Sequence, residues 1–242
     1  MRSFFLAAVL AAAPALARDS EDSAALGLSS WGEVGALGAS LGANATLPDA
    51  PSSDRFSAFL VAARFSAASY FHQTVFGTPG GLVFRIDLGY LSSVSSPTGA
   101  SSTGGSGRFH YDTDLAGDLM FFATSFGPVR VRLDGIFGCG LWINGPYLVA
   151  GGRLAFTLVP GILSVDGGYS LRPGVTYSGV FQSVLQHRVN ASLVIEPIHV
   201  ALGFEAWFGS LKDEAGVAAK DTALGGDYKT FMGTATYRCN VD

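Results

Sequence analysis

The feature that most constrains this chain is an alternation of apolar and polar side chains with a period of two residues. The stretch RFHYDTDLAGDLMFF, which starts at Arg108, shows it clearly. Its polar face carries one histidine and three carboxylates: His110, Asp112, Asp114 and Asp118. Its other face carries aromatic residues and leucines. Because side chains alternate across a β-strand, the pattern predicts a strand with one polar and one apolar face.

The same alternation recurs along the chain and predicts an all-β protein. The predicted strands lie near residues 33–43, 56–71, 81–94, 109–127, 129–143, 147–159, 162–172, 184–196, 198–211 and 227–239. Many exceed the five or six residues of a usual strand and reach the roughly 9–11 residues that a tilted strand needs to cross a bilayer. Short and long connections tend to alternate, which is typical of a transmembrane barrel with both ends in the periplasm. Two connections depart from this rule: HQTVFGTPGG after the second strand is long, and NGP after the fifth is short.

The composition favours a membrane barrel over a soluble β-sandwich or lipocalin-like barrel, which would show the same alternation with its apolar face inside. The chain is 48% hydrophobic and only 14% charged, whereas soluble domains have about 25% charged residues. The polar faces carry Gly, Ser, Ala and isolated charges of both signs, which suits a crowded lumen. We therefore predict an antiparallel transmembrane β-barrel of about ten strands, within a range of eight to twelve. The net charge of −4 without a basic run excludes a nucleic-acid partner.

The N-terminal residues MRSFFLAAVLAAAPALA have the order of a secretory signal peptide: a basic residue, an apolar run and a small-residue cleavage site. An uncleaved anchor helix is the alternative, but the run is shorter than the roughly 20 residues that a spanning helix needs, and it contains Pro14. We predict a signal peptide over 1–17, a short periplasmic segment over 18–32 and the barrel over 33–242.

On this pattern the chain resembles bacterial outer-membrane β-barrel proteins over nearly all of its predicted mature part. The resemblance implies a location in the outer membrane of a Gram-negative cell, among outer-membrane lipids and other envelope proteins. The Ala- and Gly-rich style is also similar, without a shared motif, to small myxobacterial envelope barrels of gliding or spore-coat export systems.

The inward charges of the predicted strands are candidates for an ionic network in the lumen. Its predicted members are Arg85, Asp87, Asp112, Asp114, Asp118, Arg132, Asp134 and Arg153. Buried charges normally come in pairs. The alternative is chemistry, since a histidine beside carboxylates can act as a general base or bind a metal. Outer-membrane proteases of the omptin type use such residues at a barrel mouth, but they need a second Asp–His pair, and His72, His187 and His199 are badly placed for one.

These observations predict a non-enzymatic barrel that serves as a structural or partner-binding subunit of a cell-envelope complex, with motility or export machinery as candidates. A narrow passive channel and a barrel-mouth hydrolase that uses His110, Asp112 and Asp114 are the alternatives. The mixed inward charges predict a nearly closed lumen, and no cofactor or metal is predicted. Aromatic residues near strand ends, Tyr147 and Trp207 among them, are candidates for the girdles at the membrane interfaces. The pairing of the two cysteines and the oligomeric state stay open at this stage.

Overall fold

The chain folds into a closed barrel of ten long strands. The structure, a computed structural model, describes residues 30–46, 54–75, 78–92, 108–142, 145–173, 176–177, 181–212 and 225–241. Its strands are β1 (Ser30–Thr46), β2 (Asp54–Val75), β3 (Thr78–Leu91), β4 (Arg108–Phe126), β5 (Val129–Trp142), β6 (Gly145–Val159), β7 (Leu163–Pro173), β8 (Thr176–Tyr177), β9 (Phe181–Ile195), β10 (Val200–Lys212) and β11 (Gly225–Val241). A 3₁₀ helix, Glu196–Ile198, lies between β9 and β10. No helix in the described ranges is long and apolar enough to cross a membrane.

Strand pairing closes the sheet on itself. Each long strand pairs antiparallel with its neighbours along the chain, and β11 pairs with β1 to complete the ring. β8 is a two-residue piece that pairs with the start of β9. The predicted antiparallel barrel of about ten strands is therefore confirmed, and each predicted strand corresponds to one of the ten long strands.

The two ends of the barrel differ in their connections. At one end, which we call the turn end, links of two to four residues join β2 to β3, β4 to β5, β6 to β7 and β9 to β10. Gly127 and Gly161 adopt positive φ angles of 61° and 71° in two of these turns, a conformation that glycine adopts without steric cost. The other end, which we call the mouth, joins the remaining strands and corresponds to the extracellular side of such barrels.

The strand bounds give the lengths of the two connections that depart from the alternation of short and long links. The link after β2 is short, because β2 continues to Val75 and β3 begins at Thr78. Most of the segment that was expected to be a long turn therefore belongs to the strands. At the mouth, β5 ends at Trp142 and β6 begins at Gly145, so this one mouth connection is indeed short.

The polarity of the wall is that of a membrane barrel. On β4, Phe109 and Leu115 point outward and are 62% and 49% exposed, whereas His110 and Asp112 point inward and are buried. Large apolar side chains cover the outer wall on the other long strands as well. A closed ring satisfies its backbone groups internally, which is the condition for strands to exist in lipid. The soluble-sandwich alternative does not fit a barrel with charges inside and apolar side chains outside.

The cysteines lie on opposite sides of the barrel. Cys139 is on β5 and Cys239 is on β11, which are separated by β1, β2, β3 and β4 around the ring. Both are free and exposed. The predicted signal peptide over 1–17 lies outside the described residues, as does most of the predicted periplasmic segment over 18–32.

Candidate functional site

A group of eight charged side chains, which we call the central cluster, crosses the lumen. Its members are Arg64, Arg85, Arg172, Arg188, Asp87, Asp112, Asp114 and Glu205. Six strands contribute these residues, and four guanidinium groups balance four carboxylates. Arg188 is partly buried and the other seven are buried. Such a balance is what a low-dielectric interior requires, because an unpaired buried charge is costly.

The two carboxylates of β4 at the centre of this cluster are held from several sides. Asp112 lies 2.5 Å from a guanidinium nitrogen of Arg85 and 3.4 Å from one of Arg172. Asp114 lies 2.5 Å from Arg172, 2.6 Å from Arg85 and 3.2 Å from Arg188. The hydroxyl oxygen of Tyr147 is 2.5 Å from one oxygen of each carboxylate. Strong donors thus determine where both carboxylates sit.

Tyr147 reaches the cluster because the neighbouring strand leaves room for it. Gly140 on β5 is its cross-strand neighbour, and a Cβ added there would stand 2.2 Å from the Tyr147 ring. The ring therefore packs over Gly140, and the guanidinium of Arg172 lies 4.8 Å from the ring centroid. Any larger residue at 140 would push Tyr147 away from the carboxylates.

Other members of the central cluster connect distant walls of the barrel. Arg64 on β2 binds Asp87 at 2.7 Å and also pairs with Glu205 on β10. One carboxylate oxygen of Glu205 lies 2.9 Å from a guanidinium nitrogen of Arg188, and the other accepts a hydrogen bond from the indole N–H of Trp207 at 3.2 Å. The Asp114–Arg188 pair joins β4 to β9, four steps around the ring through β5, β6 and β7. Side chains from nearly opposite walls are in contact, so the lumen is closed to a wide aqueous path at this level.

A second charged group, the turn-end cluster, lies closer to the short turns. It consists of Asp118, Arg132, Asp134, Arg153 and Tyr70. Arg153 pairs with Asp118 and lies 3.0 Å from Asp134, and Arg132 lies 2.9 Å from Asp134. The Tyr70 hydroxyl donates to Asp118 at 2.9 Å. A cavity of about 230 Å³ borders this cluster at the turn end.

The eight residues predicted as a lumen network fall into these two clusters. Arg85, Asp87, Asp112 and Asp114 belong to the central cluster, and the other four belong to the turn-end cluster. That these contacts serve a purely structural role stays a prediction. The alternation also directs Arg64, Arg188 and Glu205 inward, but the predicted network did not include these three residues, and it did not include Arg172.

The alternation along β7 held the same signal for Arg172. Arg172 shares the inward face of β7 with Asp166 and Ser170, and parity alone would have found it. The assignment of Tyr147 and Trp207 to the membrane girdles is wrong. They are 3% and 2% exposed inside the lumen, because their strands direct them inward.

His110 lies on the lumen wall one inward position from Asp112, toward the mouth. Its side chain is only 4% exposed. The next inward residue of β4 is Asp112, whose cross-strand partner on β3 is Asp87. Its cross-strand partner on β3 is Gly89, which in turn pairs with Ala62 on β2. A titratable ring therefore lies between an apolar strip of wall and the carboxylates of the central cluster.

The other histidines lie elsewhere. His187 contacts residues of the outer wall, and His199 lies in the turn between β9 and β10. His72 lies on β2 near the turn end. Among the histidines whose side chains are described, only His110 faces the lumen. Within the described ranges, no group of three or more metal-ligating side chains has a geometry that could hold a metal ion.

Comparisons with known proteins show a likeness of fold. No protein-family model matches the sequence, and no curated protein sequence matches it. Among solved structures, the outer membrane protease OmpT from Escherichia coli matches with a TM-score of 0.46 and 10% sequence identity, over 88% of this chain and 96% of that chain. At this identity the match concerns the fold alone, so any argument about chemistry has to come from the residues of this chain.

These findings correct one prediction and confirm others. The prediction of a non-enzymatic structural or partner-binding barrel is corrected, because the lumen holds a buried histidine beside carboxylates, side chains that can carry acid–base chemistry. The resemblance to bacterial outer-membrane barrels and the location in the outer membrane are confirmed. The signal peptide, membership of an envelope complex and the Gram-negative source stay predictions.

Proposed function

We propose that this barrel is an outer-membrane hydrolase in which His110 acts as the general base. The observation that carries the proposal is the burial of the His110 imidazole one inward position from Asp112 on β4, where Asp112 is the cross-strand partner of Asp87. Imidazole is the side chain best suited to take up and return a proton near neutral pH. Carboxylates in a low-dielectric site stabilise the protonated ring that forms during the reaction.

The proposed reaction is the hydrolysis of an ester or amide. His110 takes a proton from a water molecule, and the oxygen of that water attacks the carbonyl carbon of the substrate. The bond to the leaving group then breaks, and His110 returns the proton to the departing oxygen or nitrogen. The substrate enters from the mouth, because the central cluster closes the lumen on the other side of His110.

Asp112 and Asp114 act in this proposal as positioning residues. Asp112 is closer to His110 along β4 than Asp114 is. Its oxygens also contact Arg85 and Tyr147, which hold it in place. Asp114 lies one inward position further along β4 and binds Arg172 and Arg188. It therefore acts through the arginines and Tyr147 that surround Asp112.

Activity assays on the refolded full-length protein test the proposal with two substrate panels, fluorogenic peptide amides and acyl esters. We expect His110→Ala to lower kcat about 10²- to 10⁴-fold, the usual contribution of a general base, and a thermal melt checks that the variant is folded at the assay temperature. Asp112→Asn should lower kcat less and shift the pH–rate profile, which a merely structural residue would not do.

The matched control is His199→Asn. His199 lies in a turn with a φ of 54°, and Asn tolerates that conformation better than most residues. The control should keep the wild-type rate. Wild-type protein that turns over neither panel, or a folded His110→Ala variant with the wild-type rate, would overturn the proposal.

A further inference from the structure

Four arginines among the described residues line the cavity of about 230 Å³ at the turn end, which we call the turn-end cavity. Arg130 and Arg132 on β5 and Arg153 on β6 form one side of it, and Arg238 on β11 forms another. β6 and β11 are four steps apart around the ring, through β7, β9 and β10. The cavity lies at the end of the barrel away from the mouth, so it is separate from the proposed hydrolase site.

Carboxylates hold three of these arginines in place. Asp134 lies 2.9 Å from Arg132 and 3.0 Å from Arg153, and Glu33 lies 3.3 Å from Arg238. These pairs fix the positions of the guanidinium groups and neutralise much of their charge. Recognition of a ligand in the cavity therefore rests on directed hydrogen bonds more than on a net positive field.

The lining also contains two acids, and each accepts a hydrogen bond from a neighbouring side chain. Asp166 on β7 accepts one from the Ser192 hydroxyl at 2.8 Å. Glu196 in the 3₁₀ helix accepts one from the side-chain amide of Asn240 at 2.6 Å. Both acids thus have donors of their own.

Hydrogen-bond donors of the arginines remain on both sides of the turn-end cavity. The bonds of Arg153 to described residues use its Nε and Nη2 atoms, which leaves the Nη1 amino group to donate. Arg238 has a buried Nε atom without a hydrogen-bond partner in the described part of the chain. The Trp31 ring, whose centroid is 4.4 Å from the Arg238 guanidinium, keeps that group in its orientation. Because a buried donor without an acceptor is costly, the cavity favours a ligand that supplies one.

We propose that the turn-end cavity binds a small dicarboxylate from the periplasm, with one carboxylate on Arg153 and the other on Arg238. The short turns of such barrels face the periplasm, and the guanidinium fork matches the geometry of a carboxylate. The two arginines lie on different walls, so a linear ligand with a charge at each end reaches both, whereas phosphate has a single centre of charge. A volume of about 230 Å³ equals that of about eight water molecules, which suits a ligand the size of succinate.

Titration calorimetry on the refolded full-length protein in a non-ionic detergent, at constant ionic strength, tests this proposal. The probes are succinate, butyrate and inorganic phosphate. Butyrate has the carbon chain of succinate with one carboxylate replaced by a methyl group, so it can satisfy only one wall. We expect succinate to bind at least about tenfold more tightly than butyrate, the effect of one charge-assisted hydrogen bond, and more tightly than phosphate.

Arg238→Lys and Arg153→Lys test the two walls separately. Each variant keeps the positive charge beside its carboxylate partners but removes the guanidinium fork. Each should weaken succinate binding about tenfold, and a thermal melt of each variant checks that it is folded. Since the two substitutions lie on different walls, a folding defect in one of them leaves the other as the test.

The matched control is Lys229→Gln, because Lys229 is an exposed cation on β11 and the cross-strand partner of Phe208 on the outer wall. This variant removes a charge from the same strand as Arg238 and should bind succinate like the wild type. Succinate that binds no better than butyrate, phosphate that binds better than succinate, or wild-type affinity in a folded Arg238→Lys or Arg153→Lys variant would overturn the proposal. An equal loss of affinity in Lys229→Gln would also overturn it, since the binding would then follow the total charge.

Discussion

The two charged clusters of the lumen are built from the same residue types but on different plans. The central cluster draws four arginines and four carboxylates from six strands. The turn-end cluster has two of each, all on the adjacent strands β4, β5 and β6, with Tyr70 added from β2. In the central cluster the side chain of Arg172 is fully buried and that of Arg188 keeps 15% exposure, and in the turn-end cluster Arg132 and Arg153 keep 12% beside the cavity.

Ion pairs of the same residue types therefore have different effects, depending on whether they join adjacent strands or strands on distant parts of the ring. Pairs between adjacent strands support a contact that the backbone ladder already makes. Pairs such as Arg64–Glu205 and Arg188–Asp114 join strands that share no ladder. They therefore close the lumen on the side of His110 that faces the turn end.

The largest effect should follow from breaking the central cluster with Arg85→Met. Arg85 lies 2.5 Å from Asp112, 2.6 Å from Asp114, 3.4 Å from Glu205 and 3.8 Å from Asp87, so its loss leaves four carboxylates short of positive charge. We expect a loss of about 3–5 kcal/mol in the free energy of unfolding. Denaturant titration in lipid vesicles and the mobility of unboiled samples on gels measure it.

Arg55→Met is the control for this variant, because Arg55 is exposed on β2. An exposed charge typically contributes about 0–1 kcal/mol. Equal losses for the two variants would show that the central cluster does not carry the stability of the barrel.

A smaller effect should follow from Asp118→Ala in the turn-end cluster. Arg153 keeps Asp134 at 3.0 Å and the Tyr70 hydroxyl oxygen at 2.6 Å, so the variant leaves it with one carboxylate partner. We expect a loss of about 1–3 kcal/mol, the cost of a partly unsatisfied buried group. Asp118→Asn, which keeps an oxygen for the Tyr70 hydroxyl, should lose less in the same titration. A loss larger than that of Arg85→Met would reverse the ranking of the clusters.

The smallest effect should be the coupling energy between one variant in the central cluster and one in the turn-end cluster. Asp114 and Asp118 are four residues apart on β4, about 13 Å at the rise of a strand. The losses of Arg85→Met and Asp118→Ala should therefore add within about 0.5 kcal/mol in the double variant. Arg85→Met combined with Glu205→Gln, inside one cluster, should depart from additivity by about 0.5–3 kcal/mol. Strong coupling in the first pair would mean that the two clusters form one network.

The strand pattern could be predicted from the sequence because it is local. Alternation assigned His110, Asp112, Asp114 and Asp118 to the inner face, and β4 presents all four as buried residues. The register shift between Met120 and Phe122 lies beyond this row and does not disturb it. The bounds were less certain where the alternation was weak, as in the part of β2 that runs on to Val75.

The membership of the candidate site could be predicted only in part. Parity pointed Arg85 and Asp112 inward, but it gave no reason to join Arg64 to Glu205 or Asp114 to Arg188. Tyr147 and Trp207 looked like girdle residues because aromatic side chains serve both at membrane interfaces and inside a lumen.

The sequence by itself determined that this chain is a barrel with charged residues inside and apolar residues outside, since that follows from a period of two repeated along long strands. Only the tertiary structure decided which charges meet, because contacts such as Arg172–Asp114 depend on how the ring closes and how its strands are staggered. Those are properties of ten strands together. The alternation within one strand is the same whether its carboxylate faces an arginine or water, so it cannot specify the partner.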